Sequence, residues 1–168
     1  MPTFSSTDEL YRVIGQFIEM AGQPQTMESL RQRWGSSPEF EESEEDLQLI
    51  NKIGEDIRKG GLCTRFVFHD PEGEITVDAR DPSAGKFYDV YYGPPPVTPD
   101  LTVETSGDTS HLFWLGKVNV VTAMARRQIK MQGPVTKGLK MLPVLSQAFK
   151  LYPKYLRYEG LHHFLNVK

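Results

Sequence analysis

Residues 125–142 read ARRQIKMQGPVTKGLKML. The stretch carries Arg126, Arg127, Lys130, Lys137 and Lys140 and no acid, with Ile129, Met131, Val135, Leu139, Met141 and Leu142 set between them. Three readings compete: a basic arm for nucleic acid, the phosphate loop of an enzyme, or one wall of an apolar container with a charged outside. The side-chain period separates them. In residues 127–133 a strand puts Ile129 and Met131 on one face and Gln128, Lys130 and Gln132 on the other, so an apolar inside and a basic outside follow from the pleat. Aromatic side chains of the kind that stack bases are absent from the basic stretch, so no nucleic-acid partner is expected. GPVTKGLK has Gly133 and Gly138 at phosphate-loop spacing, but Leu139 stands where the lysine must be.

Working outward, Leu139, Leu142, Leu145 and Phe149 mark a final core helix over about 136–151, kinked or broken at Pro143 and ended by Pro153. The tail after it is apolar enough to pack. Upstream, Asn119 can start a helix through Val120, Ala123 and Met124, and Asp108 or Thr109 can cap one through Leu112, Phe113 and Leu115. Before these stand four strand signals. LCTRFVFH (62–69) alternates, DPEG (70–73) turns, and EITVDAR (74–80) alternates again, which reads as a hairpin. KFYDVYYG (86–93) is a third strand, of open parity. PPPVTPD (94–100) is a stiff crossing to a fourth strand, LTVETS (101–106), because proline donates no ladder bond. Three helices open the chain. Ser6 with Glu9 starts the first, and Pro24 the second, with Met27, Leu30 and Trp34 on one side. Ser43 caps the third, with acids in its first turn, Leu47, Ile50, Ile53 and Ile57 as its stripe, and Arg58 and Lys59 before Gly60-Gly61. This order indicates an α+β fold, a mostly antiparallel five-stranded sheet with helices on one face. Residues 1–40 form an N-terminal helical extension and 41–168 the main domain.

Composition sets the class. At 168 residues with 24% charged side chains, the chain can bury a sizeable core. Cys63 is the sole cysteine, so no intrachain disulfide forms, and a reducing, cytoplasmic setting is expected. The start shows no secretory signal, no stretch reaches the roughly 20 apolar residues of a membrane span, and the ending Asn166-Val167-Lys168 is not a Ser-Lys-Leu peroxisomal address. The net charge of −3 conceals a split. Residues 1–108 hold 21 acids against 9 bases, while 109–158 hold 9 bases and no acid. Such a block favours anionic partners if its charges share a face, and is ordinary solvated surface if folding intermixes the halves.

Catalytic chemistry is not legible. Cys63 and His69 lie six residues apart on one strand face, roughly 20 Å, too far to hold one ion. His162 and His163 are adjacent and diverge. No HExxH and no GxSxG occurs. Cys63 reads as a small strand hydrophobe, and Glu44/Glu45 as first-turn acids. No catalytic residue, metal or cofactor is therefore expected. By pattern alone, the apolar stripes of the second half read as ordinary core.

The residues resemble a family over about 46–150: the sterol carrier protein 2 domain, a small lipid-transfer module. The resemblance rests on the helix leading into Phe66-x-Phe68, on Ile75-x-Val77-x-Ala79, on PDLTVETSGDTSHLFWLGKVN (99–119) and on RRQIKMQGPVTKGLKML (126–142). Ala125-Arg126 stands where the family usually has a glycine, residues 1–40 exceed the usual module, and the peroxisomal ending is missing. The resemblance implies a twisted sheet and helices enclosing an apolar tunnel for a sterol, fatty acid or acyl chain. Its lining would be Phe66, Phe68, Val77, Leu101, Val103, Leu112, Leu115, Met124, Met131, Leu139, Leu142 and Phe149. Arg126, Arg127, Lys130, Lys137 and Lys140 would meet a head group or an anionic membrane surface. The function implied is non-catalytic lipid binding or transfer. The alternative is an accessory or regulatory module that docks on a partner with no cargo, the N-terminal helices serving as docking element or homodimer contact.

Overall fold

Capping chemistry explains where the helices begin. The computed structural model describes residues 2–166, so Val167 and Lys168 of the ending lie outside the described residues. Ser6 Oγ accepts from the Glu9 N–H and opens α1 (Thr7–Leu10), which runs through a π-helical turn (Tyr11–Gly15) into α2 (Gln16–Ala21). α3 (Met27–Trp34) starts at a reciprocal box between Thr26 and Ser29. Its opener is therefore Thr26 and not Pro24, because the box satisfies backbone donors that a proline side chain cannot. α4 (Glu44–Gly60) is capped by Ser43, carries three acids in its first turn, and stops at Gly61 with φ 62°. Acids at the head and Arg58 and Lys59 at the foot suit the helix dipole.

Five strands follow: β1 (Cys63–His69), β2 (Gly73–Asp78), β3 (Asp89–Tyr92), β4 (Leu101–Ser106) and β5 (Ile129–Gln132), in the order β3-β2-β1-β4-β5. The central pair β1–β4 is parallel; β1–β2, β2–β3 and β4–β5 are antiparallel. The fold is thus α+β with a mixed, mostly antiparallel sheet. β3 is shorter than the expected 86–93. Phe87 and Tyr88 leave the sheet edge, donate both N–H groups to the Gly22 carbonyl at 2.7 and 3.3 Å, and become buried. Burying two aromatic rings outweighs extending a strand that pairs on one side only. Register sets the parity left open by sequence. Val90 opposes Val77 and Tyr92 opposes Ile75, so both share the face of Phe66 and Val103. The opposite face carries Arg65, Glu74, Glu104 and Lys130.

The C-terminal half differs from the sequence reading at three places. α5 (Gly107–Trp114) is capped by Ser106, whose Oγ accepts from the Thr109 N–H; Asp108 instead accepts from the Thr3 N–H at 2.6 Å. α6 (Val120–Ala125) starts at Asn119, as its side chain predicts. The helix expected over 136–151 breaks just before Pro143, as that proline predicts, into α7 (Val135–Lys140) and α8 (Leu142–Ser146), and departs from expectation in ending as a 3-10 turn (Gln147–Lys150). Pro153 does not end a helix. It sits in the first turn of α9 (Tyr152–Tyr158), where its missing N–H loses no bond.

Tyr152, Tyr155, Leu156 and Tyr158 of α9 are buried in one cluster with Leu10, Ile14, Phe17 and Trp34 from the N-terminal helical segments and Phe68 and Ile75 from the sheet. Within it His111 is fully buried. Its Nε2 faces the Phe164 carbonyl at 2.7 Å and so carries the proton, while Nδ1, 2.8 Å away, accepts from the Tyr152 hydroxyl. Burial pushes this imidazole below its usual pKa. α4 crosses α2 at Gly54, where an added Cβ would lie 2.2 Å from the Phe87 ring and 2.4 Å from the Ala21 carbonyl oxygen.

Candidate functional site: an apolar hollow under the sheet

The inner face of the sheet does not pack solidly onto the helices. Between them lies an apolar cavity of about 140 Å³. Its walls include Phe66, Phe68, Val77, Leu101, Val103 and Met131 from the strands. Helical walls come from Ile14 and Phe17, from Ile50 and Ile53 of α4, and from Met141, Leu142 and Leu145 near α8. Thr64, Thr105, Thr109, Ser110 and Tyr88 add hydroxyls, and among the described residues no charged side chain lines it.

Burial along the sheet locates the missing atoms. Phe66 stands on a central strand between Ile75, fully buried, and Val103, 8% exposed. A side chain so placed should be the best covered in the sheet, yet Phe66 is only half-buried, as is Thr64 on the same face. Interiors normally close to crystal-like density, so this deficit means that the side chains packed against Phe66 leave part of this face uncovered. α8 tells the same story from the other side. It contributes no buried side chain, although Leu142, Val144 and Leu145 are large and apolar.

Of the twelve residues expected to line a tunnel, the cavity gathers seven: Phe66, Phe68, Val77, Leu101, Val103, Met131 and Leu142. Met124 and Leu139 pack instead on the cluster of Leu101, Val120, Ala123 and Ile129. Leu115 packs on the main core, and Phe149 lies edge-on to Phe113 with ring centroids 5.3 Å apart. Leu112 is half-buried outside the lining, since α5 turns Thr109, Ser110, Phe113 and Trp114 to the hollow and the helical period puts Leu112 on the other side. Ile14, Phe17, Ile50, Ile53 and Met141 were not anticipated as lining. Their signal, a helical stripe, is also the signal of filled core. Thr64 was signalled by sharing strand parity with Phe66 and Phe68.

Arg126, Arg127, Lys130, Lys137 and Lys140 are all exposed. Among the described residues none of the five joins an ion pair, whereas Lys154 of the same acid-free block is held by Asp46 at 2.8 Å. Folding therefore intermixes the two halves of the charge split at Lys154 and leaves these five cations in solvent. Cys63 is buried, and burial pushes its thiol pKa up, away from reactivity. Among the described residues no cluster of three or more His, Cys, Asp or Glu could hold a metal, and no helix is long and apolar enough to cross a membrane.

No protein-family model and no curated protein matches the chain. Solved structures do. The sterol carrier protein domain 2 of Helicoverpa armigera is 18% identical over 88% of this chain and 95% of its own, with a TM-score of 0.50. Sterol carrier protein 2 from Yarrowia lipolytica, in its apo form, is 19% identical over 73% of this chain and 88% of its own, at 0.48. The UbiJ-SCP2 ubiquinone synthesis protein is 16% identical over 73% and 90%, at 0.42. With its β3-β2-β1-β4-β5 sheet and one-sided helical cover, the chain has the sterol carrier protein 2 fold.

Proposed function

We propose that this chain is a non-catalytic carrier that holds a sterol, fatty acid or acyl chain in the hollow beneath its sheet, working in the cytoplasm. The observation that carries the reading is the half-buried Phe66 in the wall of a largely apolar cavity. An empty space there leaves hydrocarbon surface uncovered, and a ligand gains about 0.8 kcal/mol for each CH₂ it buries. A cavity near 140 Å³ is of the size that admits one small ring compound, so a long chain requires the α7–α8 segment to move outward. That segment is held only by half-buried side chains such as Leu139, Met141 and Leu145. Of the five exposed cations, Arg126, Arg127 and Lys130 precede it in sequence and Lys137 and Lys140 lie on α7 itself, and they suit a carboxylate or phosphate head group, or an anionic bilayer from which cargo is collected.

Native mass spectrometry after gentle purification tests the reading. The protein is expected to retain an acyl lipid, or to take one up as a 1:1 complex when offered. A chain that stays ligand-free under both conditions overturns the carrier role in favour of an accessory module that docks on a partner.

A further inference from the structure

The hollow is not uniformly apolar. Where β4 runs into α5, Thr105, Thr109 and Ser110 all line it. Thr105 takes the third inward position of β4, after Leu101 and Val103, opposite Phe68 on β1 and Ile129 on β5. It is 5% exposed, and its Oγ1 has no hydrogen-bond partner. Ser110, one helical turn into α5, is 8% exposed. Thr109 is already engaged, its Oγ1 accepting from Ser106 Oγ at 3.0 Å. Thr76 also buries an unpartnered hydroxyl, but it does not line the hollow. A buried hydroxyl without a partner is destabilising, and valine would fill the same inward position without that penalty.

We propose that this end of the hollow receives a neutral hydrogen-bonding group of the ligand, a hydroxyl or carbonyl oxygen, at Thr105 and Ser110. The hydrocarbon then runs away from it toward α7–α8. The inference rests on the carrier reading and narrows its substrate class. Neutrality follows from the walls. With no charged side chain among the described residues of the lining, a carboxylate or ammonium pushed to this end would be stripped of water and left without a counter-charge. A hydroxyl both donates and accepts, so it satisfies Thr105 in either orientation. Sterol-like and alcohol-like cargo therefore enters polar end first, and ionised head groups stay outside.

The test compares 1-octanol with 1-chlorooctane, the same chain carrying a poor hydrogen-bonding group, as competitors for Nile red bound to the full chain. Thr105→Val is expected to weaken octanol binding relative to chlorooctane by about fivefold or more, with chlorooctane binding unchanged. Ser110→Ala is expected to shift the same ratio in the same direction, and serves if the first variant does not fold. A ratio unmoved in both variants, with chlorooctane still bound, overturns this inference and leaves the carrier reading standing. Failure of the wild-type chain to bind dye and both competitors overturns the carrier reading and this inference with it.

Discussion

His111 has both ring nitrogens committed in the neutral form, one donating to Phe164 and one accepting from Tyr152. A second proton would break the Tyr152 bond and place a charge among Phe4, Tyr152 and Phe164. The folded pKa is therefore depressed by burial. Above the unfolded value of about 6.5 neither state is protonated and the stability is fully present. Below it the unfolded chain takes up the proton first, so stability is lost as pH falls from about 6.5 toward the folded value. Urea midpoints are expected to hold between pH 8 and 7 and to decline below 6.5. His111→Phe is expected to flatten that part of the decline while costing about 2–4 kcal/mol at pH 8, since it orphans two buried partners. Thr105 works in the opposite sense. Thr105→Val removes an unpartnered hydroxyl, so ligand-free protein is expected to gain about 1 kcal/mol by urea unfolding, the stability cost that the proposed binding role predicts.

Between elements, the α2–α4 crossing depends on the absence of one methyl group. At Gly54 a Cβ would meet the Phe87 ring and the Ala21 carbonyl well inside contact distance, and only the ring can retreat. Gly54→Ala is expected to lower stability by about 1–3 kcal/mol despite alanine's better helix propensity, read as a drop in thermal midpoint with the helical circular dichroism retained. Nothing in the sequence marks Gly54 as a contact, because the clash comes from residue 87. The same limit separates what was legible from what was not. α4, β1, β2 and β4 carry their own caps, stops and periods, and the structure keeps them within a residue or two. β3 loses Phe87 and Tyr88 to a pocket built by Gly22 and Ile18, some 65 residues earlier in the chain. Pro153 reads equally as a stop or a start, and only the burial of α9 beneath Trp34 and Phe17 decides it.

For the molecule as a whole, alternation along β1, β4 and β5 groups Phe66, Phe68, Leu101, Val103 and Met131 on one sheet face, so these strand residues are legible as a set, though not which face turns inward. The helical half is not legible, because Ile14, Phe17, Ile50 and Ile53 look the same whether they meet a partner or a void. Charge is the other whole-molecule property. The acid-free block keeps five cations in solvent on β5, on α7 and at the α6–β5 junction, and the same stretch supplies Met131, Gly138 and Met141 to the hollow. Under the carrier proposal one segment thus faces a bilayer with its outside and the cargo with its inside. Lys130 is a poor probe of this, since it stands opposite Glu104 in the sheet. Lys137 and Lys140 lie three apart on α7 with no ion-pair partner among the described residues, so reversing them disturbs little else. Each basic residue near an anionic surface contributes about 1 kcal/mol, and screening removes most of that beyond a Debye length of about 8 Å at physiological salt. Lys137→Glu/Lys140→Glu is expected to weaken binding to vesicles containing phosphatidylserine at least about tenfold while leaving Nile red binding intact. Wild-type vesicle binding is expected to fall steeply as salt rises. Co-sedimentation of both proteins across a salt series measures it, and binding indifferent to salt and to both substitutions would mean that these cations serve solubility alone.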